Sequence, residues 1–102
     1  AGLQTPFVAW KWLTRAQIEL SLECIPAIHL QRIFERLRTD LPANRSGLPD
    51  LIQLWPDQKR YRLIEVKGPG DRLQDNQIRW LSFCVAAGIP VCVCKVTWQN
   101  LQ

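Results

Sequence analysis

Tyr61-Arg62-Leu63-Ile64-Glu65-Val66-Lys67-Gly68-Pro69-Gly70 is the stretch that decides how this chain folds. As a strand, it puts Leu63, Glu65 and Lys67 on one face and Ile64 and Val66 on the other. Gly68-Pro69-Gly70 then stops it. Beyond Arg62 the strand is apolar until two charged residues, Glu65 and Lys67, close it. Charge entering a core is costly unless it pairs, binds a metal or reaches solvent. Residues two apart on a strand lie roughly 6.5–7 Å apart, so Glu65 and Lys67 can address one site together.

Upstream, Asp50-Leu51-Ile52-Gln53-Leu54-Trp55 predicts a partner strand, and Pro56-Asp57-Gln58-Lys59 a turn. Together they make an antiparallel hairpin that brings Asp50 beside Glu65, at the far end of the second strand. Downstream, Leu73 to Ala87 predicts a helix with Ile78, Leu81, Cys84 and Val85 facing inward and Gly88 at its C-cap. Val91 to Val96 predicts a third strand, apolar enough to lie inside a sheet. Nearer the start, Thr14 and Gln17 form a capping box that opens a helix to about Glu23. Pro26 suits the first turn of a second helix, Ala27 to about Arg38, with Ile28, Leu30, Ile33, Phe34 and Leu37 as its buried stripe. Thr39 to Gly47 reads as loop. The order helix, helix, strand, strand, helix, strand predicts an α/β fold, a mixed sheet with an antiparallel hairpin flanked by helices. Residues 1–44 form a helical lead-in packed on a core built from 45–102.

The chain has 102 residues, 47% hydrophobic and 22% charged, which suits one globular domain. No apolar run reaches the roughly 18 residues of a membrane span, and no signal-peptide pattern opens the chain. It begins at Ala1 and contains no Met, so a piece of a longer protein is expected. A net charge of +4 permits an anionic partner without requiring one. Cys24, Cys84, Cys92 and Cys94 sit among apolar neighbours and read as small buried hydrophobes in a reducing compartment. Cys92 and Cys94 alone are a poor zinc signal. His29, flanked by Ile28 and Leu30 without a visible partner, is given no catalytic role. Trp10-Lys11-Trp12 reads as packing rather than base stacking.

Two converging carboxylates, Asp50 and Glu65, are what a hard divalent cation takes, and the Val66 carbonyl could add a ligand. Lys67 would then position or deprotonate an attacking water, or neutralise developing charge. A Glu-x-Lys pair on a strand can equally be a solvated neighbour pair contributing under about 1 kcal/mol. Spacing alone leaves both readings open.

The wording goes further. Gly47-Leu48-Pro49-Asp50, then Ile64-Glu65-Val66-Lys67-Gly68-Pro69-Gly70-Asp71-Arg72-Leu73, then Gln77 ahead of Trp80-Leu81, closely resemble the VRR-NUC domain of the PD-(D/E)XK nuclease superfamily. The form is most like that of the Fanconi-associated nucleases, and the match runs from about Arg45 to Trp98. The resemblance implies a restriction-endonuclease-like core and a structure-selective DNA nuclease cutting 5′ flaps during interstrand crosslink repair. It implies Asp50 and Glu65 as ligands of Mg²⁺ or Mn²⁺, with Val66, and Lys67 as the catalytic lysine. Gln77 matches a glutamine that helps order the site, although it also reads as a residue capping the core edge. Arg45 and Arg72 are the expected DNA contacts, while Asp71 and Arg72 could instead tie the bend together.

One departure stands out. The family takes a further site acid from an upstream helix, and here Glu19, Glu23, Glu35 and Asp40 sit in no matching motif. The expected partners are branched or flap DNA and the upstream domains of the same protein, without a membrane. The expected location is the cytoplasm of a bacterium, with the nucleoid, or the nucleus of a eukaryote. Two alternatives are a non-catalytic DNA-binding or assembly module, and a standalone homodimeric four-way-junction resolvase. The lack of a short first helix with its own site acid argues against the resolvase.

Overall fold

The hairpin organises the sheet. The computed structural model describes residues 7–9, 13–39 and 46–97. Its elements are β1 (Phe7–Ala9), α1 (Arg15–Cys24), α2 (Ala27–Thr39), β2 (Leu51–Trp55), β3 (Arg60–Lys67), α3 (Asp75–Ala87) and β4 (Val91–Lys95). A 3₁₀ turn, Pro56–Gln58, joins β2 to β3 and ends on Lys59 in the left-handed region, φ 50°. The strands lie in the order β1-β2-β3-β4. β1 pairs antiparallel with β2, β2 antiparallel with β3, and β3 parallel with β4. The expected mixed sheet with its antiparallel hairpin is present.

The capping box at α1 forms as its residues predict. Gln17 N–H donates to Thr14 Oγ1 at 3.2 Å, and Thr14 N–H donates to Gln17 Oε1 at 2.9 Å. One face of the hairpin, carrying Ile52, Leu54, Tyr61 and Leu63, packs against Cys24, Ile25 and Ile33 and against Trp80 and Cys84 of α3. The lead-in helices thus contribute to the same core as the strands. Trp80 is fully buried and meets Phe83 edge-on, ring centroids 5.5 Å apart, with the Arg36 guanidinium 5.1 Å from each ring.

Several expectations are corrected. β1 had no periodic signal, because three residues are too few to show one; β2's open edge recruits it. β4 lies at the end of the strand order and is half-buried to exposed, rather than inside the sheet. α3 starts at Asp75 instead of Leu73. Its inward stripe is Trp80 and Cys84, leaving Ile78 and Val85 exposed. On α2 the buried side is Ile33, with Leu30 and Leu37 packed beside it, while Ile28 and Phe34 are exposed. A spacing of three and four admits two neighbouring stripes on a helix, and the sheet's position selects between them. All four cysteines are free, but only Cys24 and Cys84 are buried; Cys92 is intermediate and Cys94 exposed. His29 does have a partner, since its Nδ1 lies 2.7 Å from Tyr61 Oη. Trp10, Lys11, Trp12, Asp40 and Arg45 lie outside the described residues. Among the described residues no helix is long and apolar enough to cross a membrane.

Candidate active site

The pairing of Leu51 with Ile64, carried one step on, sets Asp50 opposite Glu65. Asp50 Oδ2 accepts the Val66 N–H at 2.9 Å, which fixes its carboxylate at the end of β3. Asp50 is exposed, whereas Glu65 is only 2% exposed. Burial pushes the Glu65 carboxyl up to about 8. Asp50 adds to the shift, through a hydrogen bond that only protonated Glu65 can donate and through like-charge repulsion. Lys67, on the same strand face, partly offsets them. The site therefore holds two facing carboxyl groups that resist being ionised together.

Asp50 owes its position to the segment before it. Pro49 is fully buried, and Gly47 lies so close to α3 that a Cβ there would fall 2.6 Å from Asn76 O and 2.8 Å from Trp80 Cδ1. Asn76 Nδ2 donates to Ser46 Oγ at 2.7 Å. Only glycine allows this approach, so the Gly-Leu-Pro-Asp sequence docks α3 onto the start of β2. On the far side of β3, Gly70 turns the chain at φ 81°, and Asp71 Oδ2 accepts the Gly68 N–H at 2.9 Å. Asp71 thus ties the bend.

Gln77 takes up the capping geometry: its Oε1 accepts the Gln74 N–H at 2.8 Å, closing a capping box at the start of α3. This box, with Gln in place of Ser or Thr at the N-cap, was not anticipated. Its only sequence signal is a second Gln three residues on. Arg72 is exposed beside the bend. A further cation went unnoticed in the sequence. Lys95 is the parallel-ladder partner of Lys67, so the two side chains leave the same face of the sheet at the carboxyl ends of β3 and β4. That pairing depends on which strand lies beside β3, and no local pattern carries it.

The donor set fits a divalent cation. Two carboxyl groups converge, and a cation between them would remove both the repulsion and the burial penalty that hold Glu65 protonated. The Val66 carbonyl lies in the strand between Glu65 and Lys67. Among the described residues no third His, Cys, Asp or Glu joins the pair. Glu19, Glu23 and Glu35 lie on α1 and α2, and all three are exposed.

A short mixed sheet, with an acid at the start of one strand facing a Glu-x-Lys at the end of the next, defines the PD-(D/E)XK class of fold. The chain belongs to the VRR-NUC domain family, which it matches over residues 1–98. It is 62% identical over 98 residues to the Fanconi-associated nuclease 1 homolog of Pseudomonas aeruginosa, covering 96% of this chain and 18% of that protein. It is 37% identical over 97 residues to human Fanconi-associated nuclease 1, covering 93% of this chain and 9% of that protein. The crystal structure of paFAN1 bound to a 5′ flap DNA with a gap superposes with a TM-score of 0.79, at 62% identity, over 93% of this chain and 17% of that one. The chain thus spans less than a fifth of these relatives.

Proposed function

We propose that this domain is the catalytic core of a divalent-metal-dependent, structure-selective DNA nuclease acting on flap or branched DNA in repair. The observation that carries this reading is Glu65: a carboxyl group buried to 2% exposure, facing Asp50, with Lys67 beside it on the same strand. A purely structural role would not need two facing acids at a cost in burial. The likeness to nucleases of this family, one of them bound to 5′ flap DNA, supports the substrate class.

Asp50 and Glu65, with the Val66 carbonyl, would hold Mg²⁺ or Mn²⁺. When bound, the cation would polarise the scissile phosphate and lower the pKa of a bound water. Lys67 holds the attacking water or takes its proton, and its charge offsets what builds on the phosphate. Lys95, beside it, adds a second cation for the phosphate backbone. Gln77 and Asp71 keep α3 and the bend in register with the site, and Arg72 is offered to DNA from that bend; Arg45 is assigned the same role. A reducing compartment, cytoplasm or nucleus, suits four free thiols.

The test is cleavage of 5′ flap DNA by the full-length protein with Mg²⁺ or Mn²⁺. Asp50→Ala, Glu65→Ala and Lys67→Ala each lower the rate by about 100-fold or more, with circular dichroism unchanged. Undiminished cleavage by those variants overturns the reading. A wild-type protein that binds flap DNA but never cuts it makes the domain an assembly module instead.

A further inference from the structure

The opposite end of β3, on the other face of the sheet, carries a feature that the nuclease site does not use. Trp55 of β2 pairs with Arg60 of β3, and Arg62 stands one step diagonally along. The Arg60 guanidinium lies 4.7 Å and that of Arg62 5.4 Å from the Trp55 ring. Each guanidinium is also fixed by a neutral amide oxygen: Arg60 Nη1 donates to Gln58 Oε1 at 2.8 Å, and Arg62 Nε donates to Gln53 Oε1 at 2.7 Å. Both arginines are exposed. No carboxylate of the described residues forms an ion pair with either of them.

Two like charges on one aromatic ring repel each other, and glutamine oxygens orient them without cancelling that charge. Planar forks with fixed orientation match phosphate oxygens bidentately and lose little side-chain entropy on binding. Carboxylates of a protein would suit the chemistry too. A row of phosphates fits better, because it presents an uninterrupted series of charges to adjacent cations on one rigid hairpin. Arg60 stands roughly 23 Å along β3 from Lys67, at about 3.3 Å per residue. With the faces opposed, a DNA strand at the nuclease site would not itself run across this patch, whereas a second arm of a branched molecule could reach it.

We infer that Trp55, Arg60 and Arg62 form a second phosphodiester-binding surface that holds a DNA arm other than the one being cut. This rests on the DNA reading of the domain but needs no cleavage. The experiment is fluorescence anisotropy of the full-length protein with a flap DNA and with a plain duplex in EDTA, from about 50 to 200 mM salt. Arg60→Gln/Arg62→Gln weakens flap binding roughly tenfold near physiological salt. It also flattens the log affinity against log salt slope by about one to two, because each arginine lost removes one phosphate contact and the counterion released on forming it. Duplex binding falls less. Arg60→Lys/Arg62→Lys, which keeps the charge and loses the forks, recovers the salt slope and only part of the affinity, and guards against a folding artefact. Unchanged flap affinity and slope overturn the inference. So does an unchanged affinity accompanied by a lower melting temperature of the full-length protein, which assigns the patch to a neighbouring domain. Intact cleavage by the Asp50, Glu65 and Lys67 variants would overturn the nuclease reading and leave this one standing.

Discussion

Strand β3 keeps one alternation along its length, yet its two halves do opposite things on the same face. Tyr61 and Leu63 are buried among Ile52, Leu54 and the helices, and Tyr61 Oη meets His29 Nδ1 at 2.7 Å. Glu65, two residues on, is buried as deeply but faces another acid. The first half is satisfied by its surroundings. The second is left short of a counter-charge. Burial depth therefore does not separate stability from function here; the charge of the facing group does.

The largest expected effect breaks the second half. Glu65→Gln in the full-length protein lowers flap cleavage by about 100-fold or more, while the metal-free protein gains stability above neutral pH. The sign follows from linkage. The folded pKa, about 8, is above the ordinary 4.5, so the stabilisation present below about 4.5 is lost as pH rises through about 8. Metal-free wild type should weaken over that window in denaturant titrations, Glu65→Gln should not, and added Mg²⁺ should restore the wild type. A flat wild-type profile would erase the contrast between the two halves.

Next comes Leu63→Ala, which opens a cavity in the satisfied half and costs about 2–5 kcal/mol. Its residual folded fraction should still cleave, as a measurement normalised to folded protein would show. Gly47→Ala follows, at about 1–3 kcal/mol, because its methyl group must displace the Asn76 carbonyl or the Trp80 ring. It should also slow cleavage, since the shift is passed to Asp50; a stability loss with full activity would uncouple that docking from the site. The smallest effect is Lys95→Ala. It should raise KM a few-fold with kcat little changed, as expected for a cation that binds phosphate without touching the reacting atoms. A loss confined to kcat would instead move Lys95 into the chemistry.

Much of this was legible. The two-residue period from Tyr61 to Lys67, the stop at Gly68 and the turn at Pro56 are local, and together they set the hairpin and its register. That register alone brings Asp50 to Glu65. The capping box at Thr14 is likewise local chemistry and forms as written. The box at Gln74 carries little local signal because glutamine is a weak N-cap residue, and the helix begins at Asp75, two residues after the start that periodicity predicts. On α2, Ile28 and Phe34 obey the same spacing as Ile33, yet the sheet buries only one of the two stripes.

The sequence by itself determined the strand that carries Glu65 and Lys67, its hairpin partner with Asp50, and the family. All of these depend on short-range alternation, turn chemistry and wording. Only the tertiary structure decided that Glu65 is buried against Asp50, that Lys95 stands beside Lys67, and that β1 and β4 complete the sheet. Those depend on which distant segments meet. Desolvation and strand neighbours are properties of that meeting, and no window of sequence contains them.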